Sequence, residues 1–252
     1  MEGWSRVPLC TATVGLWPAV LKFELAMHLM ILGRGKTGKL VAEVAGARHH
    51  QVQVLASREN PRASALTPDQ LRSVDIVIDF TTPHAVLENV AACVHAGKSM
   101  VVGTTGWYNE LSRVQQMVEQ GGTGFLYAAN FSIGVNLFCE LARAAARALG
   151  HDYRGQIFER HHASKKDAPS GTALTLARII REASGAELEV TSFREGEVVG
   201  MHELVFDSPL DTIYLCHDAK SRLGFAEGAV RAAEWLAGKK GFFDFRETWS
   251  EM

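Results

Sequence analysis

Residues 27–41 read M-H-L-M-I-L-G-R-G-K-T-G-K-L-V. The first six are a short apolar run, and short apolar runs bounded by turn residues read as buried strands. Gly33, Arg34, Gly35, Lys36, Thr37 and Gly38 follow at once, and Leu40, Val41, Val44 and Ala45 then recur at helical spacing. Strand, G-x-G-x-x-G and helix in that order form the dinucleotide-binding arrangement. The first glycine makes the tight turn, the second lets backbone approach a pyrophosphate, and the third lets helix pack on strand. Glycines also mark plain turns, and it is the flanking strand and helix that favour the nucleotide reading.

Working outward, residues 52–56 are a second strand that ends at Ser57 and Arg58. An acidic residue about twenty positions past the glycines holds the adenosine ribose of NAD in this arrangement. Arg58 stands there instead, and a guanidinium matches a 2′-phosphate in two-pronged fashion. The reading is therefore NADPH over NADH, against the plain alternative of a solvated arginine at a strand end. Residues 74–80 (V-D-I-V-I-D-F) are a third strand and residues 99–102 a fourth, with helical patterns through Val86, Val90 and Val94 and through Leu111, Val114 and Val118. Strands alternating with helices predict an α/β fold, a Rossmann-like doubly wound parallel sheet. Ligands lie beyond the carboxyl ends of such strands. Thr81, the turn of Gly103, Thr104 and Thr105, and Ala128, Ala129, Asn130 and Phe131 are thus expected around the nicotinamide half of the cofactor.

From residue 131 the pattern changes. A long alanine-rich helix is predicted over 136–149, a further helix over 172–183, and strands over 188–193, 198–206 and 212–217, an antiparallel α+β arrangement. An amphipathic helix over 222–236 closes the chain back onto the first part. The expected division is 27–130 plus 222–252 for the dinucleotide and 131–221 for substrate and oligomer contacts.

Between the two lies E-R-H-H-A-S-K-K-D-A-P-S-G-T, residues 159–172. Histidine and lysine donate protons and respond strongly to burial and to neighbouring charge. A helix starting near Pro169 or Ser170 would aim the N–H groups of Ser170, Gly171 and Thr172 at whatever lies before it, a seat for a carboxylate or phosphate. Ordinary helix capping and a solvated loop are the competing explanation. His202 is open to either reading, as a ligand-facing group or as a satisfied strand histidine.

The composition, 47% hydrophobic and 21% charged, is that of a globular protein. A formal charge of -2 argues against nucleic acid or an anionic membrane surface as partner. Four dispersed cysteines, with no C-x-x-C pair, suggest neither a metal site nor a disulfide framework, so a cytoplasmic location is expected. Residues 1–26 are too short and too interrupted for a membrane span and are read as a poorly ordered extension.

The segment 159–173 resembles the signature of the 4-hydroxy-tetrahydrodipicolinate reductase (dihydrodipicolinate reductase) family. G-R-G-K-T-G, D-F-T-T-P, G-T-T-G-W, A-A-N-F-S-I-G-V-N, R-E-G-E-V-V-G-M-H-E and S-R-L-G-F-A-E-G-A-V-R-A-A-E-W-L are similar too, in family order from about Met27 to the C-terminus. The resemblance implies NAD(P)H-dependent reduction of a small cyclic dicarboxylate imine, in a homotetramer, on the route to diaminopimelate and lysine. It implies His161 as proton donor, Lys165 as second catalytic residue, and His162, Gly171 and Thr172 as substrate contacts, with Ser170 beside them. The stretch between the glycine loop and Asp79 is shorter than in longer members, and residues 1–26 have no family counterpart. Another nicotinamide dehydrogenase, of the amino-acid semialdehyde or inositol type, would share the sheet without this segment. A non-enzymatic NADPH-binding regulator would have no need of paired proton donors.

Overall fold

The computed structural model describes residues 26–252, so the expected N-terminal extension lies outside the described residues apart from Ala26. The apolar run and glycine turn become strand β1 (His28–Leu32) and helix α1 (Lys36–Ala47). Strand β2 (Gln51–Leu55) follows, and two short 3-10 turns and helix α2 (Pro68–Leu71) connect it to β3 (Ile76–Asp79). Then come α3 (Pro83–His95), β4 (Ser99–Val102), α4 (Leu111–Gly121) and β5 (Gly124–Tyr127). Proline opens α2 and α3 at the position where its missing N–H costs nothing.

These strands form a parallel sheet of six in the order β10-β5-β4-β3-β1-β2, the sixth being β10 (Gly241–Asp244) near the C-terminus. Strand order reverses between β1 and β3, so the turn after β1 and the turn after β3 flank the crevice where doubly wound sheets bind ligands. Residues 29–32 of β1 and 76–78 of β3 are buried, uninterrupted apolar runs, as a sheet covered on both faces requires.

Helix α5 (Ile133–Ala145) starts three residues earlier than its apolar spacing predicts, because the Ser132 hydroxyl caps it by accepting from the Val135 N–H at 3.3 Å. The second sheet, ordered β7-β6-β8-β9, contains β6 (Arg154–His161), β7 (Val190–Arg194), β8 (Met201–Asp207) and β9 (Thr212–Asp218). It is mixed, whereas alternation alone suggested an antiparallel arrangement. Helix α6 (Gly171–Ser184) carries the chain from β6 over to β7, and such a helical crossover returns the chain in the same direction. One face packs on α5 and α6 through Ile157, Leu204, Phe206, Leu176 and Ile180; among the described residues nothing covers the other.

Helix α7 (Leu223–Leu236) then packs on α1, β10 pairs with β5, and the short α8 (Phe245–Thr248) ends the fold. At Gly228 this helix presses on the link between the sheets: an added Cβ would lie 1.8 Å from the carbonyl oxygen of Phe131. No side chain fits there without moving backbone. We expect Gly228→Ala to destabilise the protein by about 1–3 kcal/mol or more, measured as a lower urea midpoint at unchanged slope; an unchanged midpoint would contradict this packing.

Candidate active site

A cavity of about 1060 Å³ runs between the two sheets. The second sheet contributes His161, His162, Lys165, Ser170, Gly171 and Thr172 to its wall, and the first contributes Thr105, Ala129 and Asn130. The proton donors and the helix N-terminus anticipated from sequence therefore share one hollow with part of the expected cofactor face.

Strand alternation explains the wall that the second sheet contributes. Ile157, Glu159 and His161 lie on the inward face of β6, while Phe158 and Arg160 lie on the uncovered one. His161 is thereby 8% exposed and sits above a fully buried Glu159. Its Nδ1 pairs with Glu159 Oε2, and its Nε2 lies against Gly200, where a Cβ would come to 3.0 Å. The other carboxylate oxygen accepts from Arg194 Nη2 at 2.7 Å and from the Ser170 N–H at 3.3 Å. Arg194 Nη2 also donates to the Asp167 carbonyl at 2.5 Å, and the Asp167 carboxylate holds Lys165 Nζ at 2.7 and 2.8 Å. One buried carboxylate and one guanidinium thus tie together the imidazole, the lysine loop and the start of α6.

Two details differ from the sequence expectation. Helix α6 begins at Gly171, and Ser170 is its cap, accepting from the Ala173 N–H at 3.2 Å. The Ser170 N–H is taken by Glu159, so Gly171 and Thr172 supply the outward-facing amides. His202 is buried: its Nε2 meets Ser170 Oγ at 3.1 Å and its ring stands edge-on to His161 at 5.2 Å. It lines the cavity from beneath the start of α6.

Burial would raise the Glu159 pKa, but the Arg194 guanidinium, the Ser192 hydroxyl and the charge of His161 hold it down at about 2. Burial lowers the pKa of His161 more than the Glu159 carboxylate restores it, with Lys165 and Arg194 adding to the depression. His202 is pushed down to about 4 by burial and by its neighbour His161. Ligand atoms of Glu159, His161 and His202 lie within 4.8 Å of one another, a spacing that also suits a metal. The guanidinium already on the carboxylate and the nearby Lys165 ammonium make it a cationic setting, better suited to handling a proton and holding an anion.

On the first sheet, Gly33 has φ +101°, and a Cβ there would strike the Phe80 carbonyl at 2.2 Å; one on Gly38 would strike the Gly33 carbonyl at 2.1 Å. Gly35 opens α1 with no side-chain cap and open space above it. The N–H groups of Lys36, Thr37 and Gly38 therefore face outward from an uncapped helix start, a cradle that fits a pyrophosphate. Arg34 is half exposed, 3.8 Å from Glu59, and the Arg58 side chain is 82% exposed at the tip of β2. The Thr81 and Thr104 hydroxyls point inward, donating to Asp79 Oδ1 at 2.7 and 2.8 Å, so what these residues can offer a cofactor is main chain. Gly103 leaves room for the Phe80 ring. Ala128 and Phe131 are buried, with Phe131 packed on Phe80 and Phe245. Thr105, Ala129 and Asn130 are the residues of this set that line the cavity.

A doubly wound sheet with a glycine cradle, facing an imidazole, an ammonium and a helix N-terminus, defines a nicotinamide-nucleotide oxidoreductase. Comparison with known proteins narrows this. Residues 27–131 match the family model described as dihydrodipicolinate reductase, N-terminus, and residues 134–248 that described as dihydrodipicolinate reductase, C-terminus. The chain is 35% identical over 240 residues to a 4-hydroxy-tetrahydrodipicolinate reductase of Christiangramia forsetii, covering 90% of this chain and 99% of the relative. It is 41% identical over 198 residues to the reductase of that name from Chromobacterium violaceum, covering 70% and 74%. The solved dipicolinate-bound dihydrodipicolinate reductase of Paenisporosarcina sp. TG-14 superposes with a TM-score of 0.73 at 24% identity, over 88% of this chain and 99% of that one. The chain belongs to the dihydrodipicolinate reductase family.

The buried groups carry a pH signature. Between about pH 6.5 and pH 4 the unfolded chain takes up a proton at residue 202 that the folded chain refuses, so stability falls as pH falls through that window. Glu159 acts in the same direction lower down, between its ordinary value and about 2. We expect the loss of melting temperature between pH 6.5 and 4 to be shallower in His202→Asn than in the wild type. Parallel curves would show that His202 titrates normally.

Proposed function

We propose that this chain reduces 4-hydroxy-tetrahydrodipicolinate, after its dehydration to dihydrodipicolinate, to tetrahydrodipicolinate in lysine and diaminopimelate biosynthesis, with NADPH as the preferred reductant over NADH. The observation that carries the catalytic assignment is the shared cavity wall of His161, Lys165, Gly171 and Thr172. In this reading residues 27–130 with 222–252 take the dinucleotide and 131–221 take the substrate.

A bound nicotinamide supplies hydride to the conjugated imine of the ring. The chain's own residues do the rest. The amides of Gly171 and Thr172 hold one carboxylate and fix the ring in reach of the cofactor face. Lys165 exchanges the exposed Asp167 for the substrate and stabilises negative charge as it develops on the ring. His162 stands beside it, its Nδ1 on Ser164 Oγ at 2.8 Å, within reach of the second carboxylate. His161 protonates the enamine carbon that reduction leaves. With Nδ1 turned to Glu159 and its pKa depressed, its Nε2 takes a proton from solvent in the open cavity and passes it on. Positioned proton donors contribute about 10²–10⁴-fold.

The 2′-phosphate reading rests on Arg58, whose guanidinium is exposed and only loosely paired with Glu59 at 4.0 Å. Assembly as a homotetramer is supported by the uncovered face of the second sheet, where Phe158 stacks on Phe193 and Tyr214 is 65% exposed. Free Cys93, Cys139 and Cys216 accord with a reducing cytoplasm, and no helix among the described residues is long and apolar enough to cross a membrane.

His161→Gln and Lys165→Ala should each lower turnover by at least about 10²-fold while NADPH affinity is kept, in an assay that couples the aldol product of pyruvate and aspartate semialdehyde to loss of NADPH absorbance. Near-normal turnover in both would defeat the assignment. In the same assay Arg58→Ala should raise the KM for NADPH far more than that for NADH; equal effects would reject the 2′-phosphate contact. Since the Glu159 charge raises the His161 pKa, Glu159→Gln should move the alkaline fall in kcat to lower pH. A profile shifted upward or left in place would contradict the pairing.

A further inference from the structure

Asp79, at the carboxyl end of β3, is fully buried and does not line the cavity. The hydrogen bonds to one of its two oxygens all come from loops that border the nucleotide crevice. Its Oδ1 accepts from the Thr81 N–H at 2.8 Å, from the Thr81 hydroxyl at 2.7 Å and from the Thr104 hydroxyl at 2.8 Å. The Thr104 oxygen in turn accepts from the Thr81 N–H at 2.8 Å, so the loops after β3 and β4 are fastened to each other as well.

The second oxygen leads elsewhere. Asp79 Oδ2 accepts from Asn89 Nδ2 at 2.8 Å, and Asn89 on α3 is 1% exposed. Asn89 Oδ1 accepts from Asn60 Nδ2 at 3.0 Å, and Asn60 Oδ1 accepts from the Ala65 N–H at 3.1 Å. Asn60 ends the turn Ser57–Glu59, where Arg58 stands. The chain of bonds therefore runs from the loop after β4, on the nicotinamide side, by way of the end of β3 and helix α3 to the loop after β2, on the adenosine side. An Asn whose carbonyl accepts on one side and whose amide donates on the other is the one neutral side chain of this length that can join a carboxylate to an amide donor. A leucine of similar size would leave the second oxygen of the buried Asp79 without its donor and the Asn60 amide without its acceptor.

We infer that Asn89 is a positioning residue for the whole dinucleotide: through Asp79 it sets the Thr81 and Thr104 loops and through Asn60 it sets the Arg58 loop, so both halves of the cofactor site depend on a side chain that meets no ligand. The inference rests on the nicotinamide-nucleotide reading of the first sheet, and binding to the wild type tests that reading separately.

The test is binding of the two halves apart, by calorimetry for ADP-ribose and by fluorescence titration for reduced nicotinamide mononucleotide, on the full chain. Asn60→Ala should weaken ADP-ribose about 3–10-fold and leave the mononucleotide unchanged. Thr104→Val, which removes a hydroxyl and keeps the shape, should do the reverse. Asn89→Ala should weaken both about 10-fold, and adding Asn60→Ala to it should cost ADP-ribose nothing more, because residues acting in one network are not additive. Pyridine-2,6-dicarboxylate, which the second sheet binds in our reading, should keep its affinity in the three single variants and the double one, and that separates this outcome from general unfolding. The inference is overturned if Asn89→Ala weakens one half only or neither, or if the Asn60 and Asn89 effects simply add. A wild type that binds neither ADP-ribose nor the mononucleotide would instead overturn the cofactor reading itself.

Discussion

The ion pair of Arg194 with the buried carboxylate of Glu159 is the constraint from which the rest of the active site follows. A carboxylate with no exposed surface would surrender its charge if left alone, because desolvation penalises the ionised form by several kcal/mol. Arg194 at 2.7 Å prevents this, and the charge so kept is then used three times. It faces the His161 ring, it accepts the N–H of the residue that caps α6, and it fixes the guanidinium nitrogen that also holds the Asp167 carbonyl. Imidazole, helix start and lysine loop are mutually aligned because all three refer to one buried pair. The low exposure that makes the pair costly to form also makes it stiff, and the proposed role of His161 as proton donor needs that stiffness.

The first sheet has an analogous device of opposite character. Asp79 is equally buried, but its partners are hydroxyls, an amide and a backbone N–H, with no cation among them. Four donors on two oxygens satisfy a carboxylate without a salt bridge, and the hydroxyls of Thr81 and Thr104 are thereby turned away from solvent. The cofactor cradle is left as bare main chain around the three glycines, which suits a ligand recognised by backbone amides. The two sheets thus present complementary faces: one of peptide dipoles, one of titratable side chains, with about 1060 Å³ between them.

Much of this was legible in the sequence, for identifiable reasons. The strand–glycine–helix unit announces itself because only glycine tolerates the closeness seen at Gly33 and Gly38, so the spacing is dictated by backbone collision. The histidines, the lysine and the Ser-Gly-Thr turn were legible because they are adjacent in sequence. What was not legible is what long-range pairing supplies. Strand β6 is R-G-Q-I-F-E-R-H, with two apolar residues in eight. Its burial comes from ion pairing with Arg194 and from β7 and β8 on either side. Read as a strand, its period of two would have placed Glu159 and His161 on one face and pointed to the carboxylate. Arg194 and His202 lie over thirty residues away in sequence and join the site through strand register alone. The mixed sheet escaped the pattern for a similar reason, since strand direction is set by the α6 crossover and leaves no mark in alternation. The resemblance to the reductase family held along the chain, and the family models and relatives bear it out.

If the buried pair governs the acid, it must also govern which ring nitrogen of His161 carries the proton. Nitrogen-15 NMR of the histidine-labelled protein at neutral pH, with the His161 signal assigned by its loss in His161→Gln, reads this directly. The account predicts a neutral ring protonated at Nδ1, towards Glu159, with a bare Nε2 facing the cavity, and loss of that single tautomer in Arg194→Met. A ring protonated at Nε2 with Nδ1 bare, or one indifferent to the loss of Arg194, would contradict it.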